Sequence, residues 1–286
     1  MVEVLQIKDV TKLYGKIKAL DRVTVEIQRG MFGLLGPNGA GKTSLMRILT
    51  TVIPPTGGDV IYGDYSLSNK NEFRSMIGYL PQKFSMYKHL TVQEVLTHIG
   101  VFKGINKNPK ENIQKVLELV NLSQEQNKKV SQLSGGMVRR LGIAQAILGD
   151  PQILIVDEPT AGLDPEERIR FRKLLKQIGK QSIVIISTHI VEDIETTCDN
   201  AAIMQGGKII VQDRIQEIGK LAEGKVWEII VPTEKIYNLP PEWNVISTYR
   251  ENDTYRIKVL SETNPGNGKP VSPSLEDGYL YVMRNK

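Results

Sequence analysis

The chain has 286 residues, of which 40% are hydrophobic and 24% are charged, and its net charge is +5 at neutral pH. This composition excludes a disordered protein, and the length allows one large domain with a smaller one. No apolar run approaches the roughly 18 residues that a membrane-spanning helix needs. Residues 221–286 hold 8 basic and 9 acidic side chains, so no basic tail tracks nucleic acid, and we expect no nucleic-acid partner.

The single cysteine, Cys198, excludes an intramolecular disulfide and is typical of a reducing compartment. The N-terminal residues lack the basic-then-apolar layout of a signal peptide. Both features predict a cytoplasmic protein.

In chain order, the first 220 residues alternate short apolar runs with helical stretches. Residues 31–35 are apolar and end in a glycine-rich turn, and residues 42–49 follow with a helical composition. Residues 111–120 predict an amphipathic helix, and Ser134 opens a further helix that stops at Gly149. Together with the buried-strand patterns at 153–156 and 183–186, this alternation predicts an α/β domain with a mostly parallel sheet.

The composition changes after about residue 221. Residues 225–231, 243–249 and 254–260 alternate polar with β-branched or aromatic positions, which predicts short strands. A loop over 262–273 and a helix from 275 to about 283 follow. We expect residues 221–286 to form a small accessory or regulatory α/β unit.

The glycine-rich turn after residues 31–35 has the pattern of a phosphate-binding loop. Glycines let the backbone form a concave nest of N–H groups, and the following helix adds its positive N-terminal end. The lysine supplies a charge for the β and γ phosphates, and the threonine hydroxyl is suited to ligate Mg²⁺. The strand before and the helix after argue against a chance glycine-rich turn. The octet is Gly36, Pro37, Asn38, Gly39, Ala40, Gly41, Lys42 and Thr43.

Two acids follow the apolar run at 153–156. Asp157 is placed to hold Mg²⁺, an ion that keeps several waters and needs few carboxylates. Glu158 leaves the strand one residue later and is suited to act as the general base for an attacking water. Alone, the pair could equally be two solvated acids at a strand end; the phosphate loop upstream favours the functional interpretation.

A second anion-binding pattern lies at residues 133–137. It places Ser134, Gly135 and Gly136 at the N-terminus of a helix, where backbone N–H groups and the helix dipole favour a phosphate. An NTPase with one self-contained site does not need two such anion-binding cradles.

At this point the sequence resembles the ATP-binding cassette (ABC) ATPases over most of residues 1–220. The motifs stand in family order: an aromatic-loop residue, the Walker A motif, a glutamine loop, the signature, the Walker B motif, a D-loop and a switch histidine. They match Tyr14, residues 36–44 ending at Ser44, Gln82, residues 133–137, residues 153–158, residues 161–164 and His189. Each lone residue has a plainer alternative: Tyr14 as a strand-edge aromatic, Gln82 as a turn residue, and His189 as a strand-end histidine.

Two positions depart from the family pattern. The signature usually ends in glutamine, whereas this chain has Met137, and the D-loop usually begins Ser-Ala rather than Ala161-Gly162. Neither departure touches the serine and glycines expected at the γ-phosphate, so we expect activity to be retained.

The resemblance implies a P-loop NTPase fold of ABC type. That fold has a mostly parallel core sheet, an antiparallel N-terminal β part and an inserted helical subdomain, here at about residues 83–150, within an ABC ATPase domain over 1–220. The ligands implied are ATP and Mg²⁺.

The resemblance also implies roles for single residues. Glu158, His189, Lys42 and Gln82 would be catalytic. Thr43, Gln82 and Asp157 would hold the metal. ATP would contact Tyr14, Gly36 to Ser44, and Ser134, Gly135 and Gly136. The last three residues and Asp164 would act across a dimer interface, because in this family the signature of one cassette caps ATP held by another.

The partners implied are a second ABC cassette, expected to be an identical chain, and a separate integral membrane permease. The permease would dock near Gln82 and residues 83–87, which would place the chain on the inner face of the cell membrane. Phe84, Met86 and Tyr87 either face that docking groove or pack in the helical subdomain.

The tail at residues 273–281 resembles the ending of ATPase subunits of bacterial multidrug and antibiotic exporters, which favours export over import. The predicted function is therefore an ATP-hydrolysing subunit that powers an ABC transporter. The alternatives are an ABC ATPase that drives a non-transport mechanical or regulatory membrane complex, and a module that senses nucleotide without hydrolysing it. Glu158 and His189 argue against the sensing module.

Overall fold

A computed structural model describes residues 4–160 and 163–284. The strands are β1 (Leu5–Tyr14), β2 (Ile17–Ile27), β3 (Gly30–Leu35), β4 (Gly57–Tyr62), β5 (Tyr65–Ser66), β6 (Ile77–Leu80), β7 (Ile153–Asp157), β8 (Ile183–Thr188), β9 (Asn200–Gln205), β10 (Lys208–Arg214), β11 (Val226–Pro232), β12 (Asn244–Glu251), β13 (Thr254–Leu260) and β14 (Lys269–Pro270). The helices are α1 (Lys42–Leu49), α2 (Lys70–Ser75), α3 (Val92–Phe102), α4 (Pro109–Leu119), α5 (Gly135–Ile147), α6 (Pro165–Gly179), α7 (Val191–Thr197), α8 (Ile215–Lys220) and α9 (Leu275–Arg284).

Within the described residues the strands form three sheets. The central one has the order β10-β9-β3-β8-β7-β6, and its pairs β3–β8, β3–β9, β7–β8 and β6–β7 are parallel. An N-terminal sheet of order β2-β1-β4-β5 is antiparallel. The predicted α/β fold with a mostly parallel core sheet and an antiparallel N-terminal part is therefore confirmed.

Two interior strands of the central sheet are buried at every position, β7 as Ile-Leu-Ile-Val-Asp and β8 as Ile-Val-Ile-Ile-Ser-Thr. Parallel strands are covered by helices on both faces, so they read as continuous apolar runs rather than as alternating ones. This is why both strands are recognisable from sequence, although each extends past the predicted four residues into polar positions.

Four neighbouring parallel strands end at one edge of the central sheet. β3 ends at Leu35, β8 at Thr188, β7 at Asp157 and β6 at Leu80. The residues that follow each strand therefore meet at the carboxyl edge, which is where open α/β sheets bind ligands. The phosphate loop, Glu158, His189 and Gln82 all come directly after these strand ends.

Between β6 and β7 the chain is mainly helical, as expected for the inserted helical subdomain. Thr91 and Glu94 form a reciprocal capping box at the start of α3. Ser134 caps α5 by accepting a hydrogen bond from the Met137 N–H at 3.2 Å. The helix predicted to open at Ser134 is confirmed.

The chain divides into two compact units, one up to Ile210 and one from Val211. In the second unit the antiparallel sheet has the order β12-β13-β11-β14, and α8 packs against α9. Gly278 of α9 lies so close to α8 that an added Cβ would be 2.0 Å from the Ile218 carbonyl oxygen, so only glycine fits there. The three predicted strands and the C-terminal helix are confirmed, but the predicted loop over 262–273 contains the short strand β14, which pairs with β11. The assignment of residues 1–220 and 221–286 as functional domains stays a prediction.

Candidate active site at the carboxyl edge of the central sheet

The phosphate loop needs glycine at three positions for physical reasons. An added Cβ at Gly36 would lie 2.3 Å from the Met204 carbonyl oxygen, and one at Gly41 would lie 2.6 Å from the Ala19 carbonyl oxygen. Gly39 and Gly41 have φ values of 81° and 106°, a region that other residues rarely adopt. The loop therefore holds a tight, concave backbone directly before α1.

Lys42 opens α1, and its side chain folds back over the loop. Its Nζ donates hydrogen bonds to the Gly36 and Pro37 carbonyl oxygens at 2.6 and 3.1 Å, and the residue is buried. Burial lowers the pKa of Lys42, and the negative charges of Glu158 and Asp157 oppose that shift. A buried ammonium beside a nest of N–H groups can bind a phosphate by exchanging loop carbonyls for phosphate oxygens.

Asp157 closes β7 and is 2% exposed. Burial raises the pKa of Asp157, and the negative charge of Glu158 adds to the rise, whereas the Ser187 hydroxyl and the positive charges of Lys42 and Arg47 oppose it. The carboxylate is thus only partly compensated by the positive charges around it. An added divalent cation would supply the missing compensation, so the residue fits the metal role expected from sequence.

Glu158 and His189 are in contact. The Glu158 Oε1 lies 3.0 Å from the His189 Nδ1, and the Thr188 hydroxyl lies 3.4 Å from Oε2. Glu158 has a φ of 50°, unusual for a residue with a side chain, and its N–H donates to the Ser187 carbonyl oxygen at 2.8 Å. The turn after β7 therefore directs the carboxylate toward the histidine that follows β8.

A cavity of about 220 Å³ lies over the phosphate loop. Its lining joins the loop to three residues that lie elsewhere in the sequence. It is lined by Ala19, Asn38, Gly39, Ala40, Gly41, Lys42, Thr43, Ser44, Gln82 and Glu158. The structure thus brings Gln82 and Glu158 to the phosphate loop.

Two other residues named in the sequence analysis are placed at the surface. Tyr14, the last residue of β1, is 45% exposed, and Lys12 Nζ lies 5.3 Å from its ring centroid. A ring exposed to this degree can stack on a flat ligand. Tyr87 is 66% exposed, whereas Phe84 is half-buried against α5, where an added Cβ on Gly142 would lie 2.6 Å from Phe84 Cζ. Of the two interpretations of this segment, Phe84 fits packing and Tyr87 fits docking.

The signature residues lie outside the cavity over the phosphate loop in the described part of the chain. Ser134 and Gly135 are exposed at the start of α5, and no atom lies within 4 Å of an added Cβ on Gly135. Gly136 faces Glu167 of α6, which pairs with Arg140 at 3.4 Å. The signature therefore packs against α6 on the side of Gly136 and is exposed at Ser134 and Gly135.

Asp164 caps α6 by accepting the Glu167 N–H at 2.8 Å. The remainder of the expected D-loop, Ala161-Gly162, falls outside the described residues. Asp164 thus has a structural role within its own chain, whatever it contacts in a partner.

One residue at this site was not recognised from sequence. Arg139 of α5 donates to the backbone carbonyl oxygens of Gln82, Glu158 and Pro159. Its only sequence signal is a charge on a helix that carries an apolar face, and that signal does not identify acceptors that belong to the backbone.

The ABC transporter family model matches residues 20–161. Among curated relatives, an uncharacterized ABC transporter ATP-binding protein of Bacillus subtilis is 36% identical over 98% of this chain and 99% of its own length. The bacitracin transport ATP-binding protein of Bacillus licheniformis is 39% identical over 73% of this chain and 69% of its own. The linearmycin resistance ATP-binding protein of Bacillus subtilis is 34% identical over 72% of this chain and 68% of its own length.

Solved structures agree. An ATP-binding subunit of an ABC transporter superposes with a TM-score of 0.69 at 26% identity, covering 76% of this chain and 92% of that one. A dimeric ATP-binding cassette in a post-hydrolysis state with ADP and Pi superposes with a TM-score of 0.65 at 26% identity, covering 73% of this chain and 98% of that one. The chain belongs to the ATP-binding proteins of ABC transporters, a family of ATPases.

Proposed function

We propose that this chain is the ATP-hydrolysing subunit of an ABC exporter and works through ATP-driven dimerisation of two cassettes. The observation that carries the proposal is the 3.0 Å contact between Glu158 Oε1 and His189 Nδ1 beside the cavity that holds Lys42. A module that only senses nucleotide has no need for a carboxylate and a histidine placed together at the phosphate end of its site.

The roles of the reacting residues follow from these contacts. Glu158 accepts a proton from the water that attacks the γ-phosphate, and His189 orients the carboxylate and the phosphate. Lys42 offsets the negative charge that grows on the phosphate oxygens in the transition state. Gln82, at the cavity wall, is placed to sense the γ-phosphate end of the nucleotide.

Magnesium is the second ligand. Thr43 at the start of α1, Gln82 and Asp157 would hold it, and its chemistry is to neutralise phosphate charge and fix the phosphate geometry. The position of Asp157 supports this assignment: it ends β7 buried beside Glu158, and burial raises its pKa, which a bound cation would lower.

Dimerisation is supported by the open front of the signature. Gly36 and Gly41 are glycine because their own chain leaves no room for a side chain, whereas Gly135 has open space around it. This open space leaves room for a group that approaches from outside. A nucleotide held by the phosphate loop of a second copy fits, and one related cassette was solved as a dimer with ADP and Pi.

Export through a separate membrane permease is supported by two of the relatives, one named for bacitracin transport and the other for linearmycin resistance. No helix in the described residues is long and apolar enough to cross a membrane. We place the docking surface for the permease at Gln82 and the segment 83–87, where Tyr87 is 66% exposed. The chain would then work at the inner face of the membrane.

The catalytic proposal is tested with Glu158→Gln. Phosphate release should fall by about 10²–10⁴-fold because the general base is lost. ATP binding should persist, and the variant should accumulate as a dimer when ATP is added, measured by light scattering after size-exclusion chromatography. Glu111→Gln, an exposed acid in the first turn of α4, is the matched control and should behave as wild type. Normal turnover in Glu158→Gln would exclude Glu158 as the base.

The transport proposal is tested on detergent-solubilised membranes. An integral membrane protein should co-purify with the tagged chain and stimulate its ATP turnover. If none does, the chain drives no permease and the proposed export fails, although its ATPase chemistry would stand.

A further inference from the structure

Arg139 makes an unusual set of contacts for a residue on the signature helix. Its Nη2 donates to the Glu158 carbonyl oxygen at 2.5 Å, its Nε to the Pro159 carbonyl oxygen at 3.0 Å, and its Nη1 to the Gln82 carbonyl oxygen at 3.3 Å. One guanidinium therefore joins two segments that follow different strands of the central sheet, β6 and β7.

This position calls for arginine rather than another cation. The guanidinium is planar and carries five donors in a fixed fork, so it can serve several carbonyl oxygens at once; a lysine ammonium is a single point of charge. The side chain is half-buried; burial lowers the pKa of Arg139, and the negative charges of Asp157 and Glu158 oppose that shift. The two carboxylates of the site thus favour the charge of Arg139, and Arg139 in turn donates hydrogen bonds to the backbone of the site.

The turn at Glu158 is the part of the site that most needs support. A residue with a side chain at a φ of 50° carries a conformational cost of about 1–2 kcal/mol. Such a conformation persists only when its surroundings fix it. Here the Glu158 N–H is fixed by Ser187 and the Glu158 carbonyl oxygen by Arg139, so both backbone polar groups of this residue are held.

The segment after Gln82 is attached to the same helix. Phe84 packs on Gly142, one turn after Arg139, and the Arg139 guanidinium lies 5.9 Å from the Phe84 ring centroid. A displacement of this segment or of α5 would therefore act on the Glu158 turn through the Arg139 guanidinium.

We propose that Arg139 is a positioning residue for hydrolysis: it fixes the backbone turn that directs the Glu158 carboxylate and links that turn to the Gln82 segment. The inference rests on the proposed role of Glu158 as the base. Arg139 touches no reacting atom itself, and it acts through the position of the base.

The first test is Arg139→Met in the full chain. The kcat for ATP hydrolysis should fall by about 10²-fold, as expected when a reacting group is misplaced by an ångström. The KM for ATP should stay within about twofold, because the phosphate loop that binds ATP is untouched. Arg139→Lys keeps the charge without the fork and should recover part of the lost kcat.

The matched control is Lys103→Met. Lys103 donates to the Gln145, Ala146 and Leu148 carbonyl oxygens at the other end of α5, so its loss also removes three hydrogen bonds to backbone carbonyls of this region. Lys103→Met should lower the midpoint of thermal unfolding and keep the wild-type kcat. This control separates loss of stability from loss of position.

A second readout asks whether Arg139 acts through Glu158. In a Glu158→Gln background, Arg139→Met should reduce the residual turnover by less than about twofold, because coupled residues are not additive. A purely structural role would lower the residual turnover as much as it lowers that of the wild type.

Wild-type kcat in Arg139→Met would overturn the inference, as would a full additional loss in the double variant. If Arg139→Met does not fold, Arg139→Lys decides: a lowered kcat at unchanged KM supports the inference, and wild-type kcat overturns it. Wild-type turnover and its loss in Glu158→Gln, measured in parallel, report on the proposed function separately.

Discussion

In the described part of the chain, the phosphate loop and the signature each lie at a helix N-terminus with the pattern of an anion-binding cradle, and the two differ in how far their own chain encloses them. At the phosphate loop, Gly36 and Gly41 are enclosed by backbone atoms of their own chain, and Lys42 is buried. At the signature, Ser134 caps α5 and Gly135 faces open space. The first cradle is enclosed by atoms of its own chain, whereas the second is exposed.

The electrostatics of the two regions differ in the same direction. The phosphate loop and its surroundings bury Lys42, Asp157 and Glu158 together, and burial shifts the pKa of Lys42 down and that of Asp157 up. Behind the signature, Glu167 is instead paired with Arg140. The first region thus buries two carboxylates beside one ammonium, an arrangement that a bound cation would stabilise, whereas the acid behind the signature already has a cationic partner.

The largest expected effect comes from two single variants, one that disables the phosphate loop and one that disables the signature, assayed separately and as a mixture of the two proteins. Lys42→Met removes the charge from the loop, and Gly135→Asp places a carboxylate at the open signature; each variant alone should lose about 10²-fold or more in turnover. A mixture should recover to about a quarter of wild type, since half of the random dimers are mixed and each has one intact site. Phosphate release from each variant and from the mixture decides it. No recovery would show that the cradles do not meet between chains.

A second comparison uses the same small substitution in both regions. Gly41→Ala places a methyl group 2.6 Å from the Ala19 carbonyl oxygen at a φ of 106°, so we expect it to lower the free energy of unfolding by about 1–3 kcal/mol and to abolish ATP binding. Gly135→Ala meets no atom within 4 Å and should keep both stability and ATP binding while lowering turnover. Denaturant unfolding and equilibrium ATP binding measure both. Equal destabilisation by the two variants would contradict the comparison.

The smallest effect concerns the charge of Asp157. Because burial raises its folded pKa above the unfolded value, protonated Asp157 favours folding, and that advantage is lost as pH rises through the folded pKa. At neutral pH, Asp157→Asn should therefore raise the free energy of unfolding of the nucleotide-free chain, and the difference from wild type should narrow as pH is lowered. Ser134→Ala, which loses a helix cap of about 1 kcal/mol without a charge, should show a difference that does not change with pH. Denaturant unfolding at several pH values tests both variants.

Much of the fold could be predicted from local sequence patterns. The buried runs of β7 and β8, the helix opened by Ser134 and three of the four strands after residue 221 are recognisable, because side-chain periodicity and capping are properties of adjacent residues. The phosphate loop is recognisable for the same reason. Its glycines serve a backbone shape that eight consecutive residues form together.

Packing decided the segment after Gln82. From sequence, Phe84 and Tyr87 were equally suited to docking or to the interior, because an aromatic side chain serves either environment. The structure half-buries Phe84 on Gly142 and leaves Tyr87 exposed. The space that Gly142 leaves open is a property of two segments about 60 residues apart, and such a space has no local signature.

The sequence by itself determined that this chain binds and hydrolyses ATP, since the phosphate loop, the two acids after β7 and the signature are contiguous motifs with a chemistry of their own. Only the tertiary structure placed Glu158 against His189 and joined Arg139 to Glu158 and to Gln82, residues 19 and 57 positions away. The physical reason lies in the acceptors. Arg139 binds backbone carbonyl oxygens, which every residue has, so nothing in the identity of residues 82, 158 or 159 marks them as its partners.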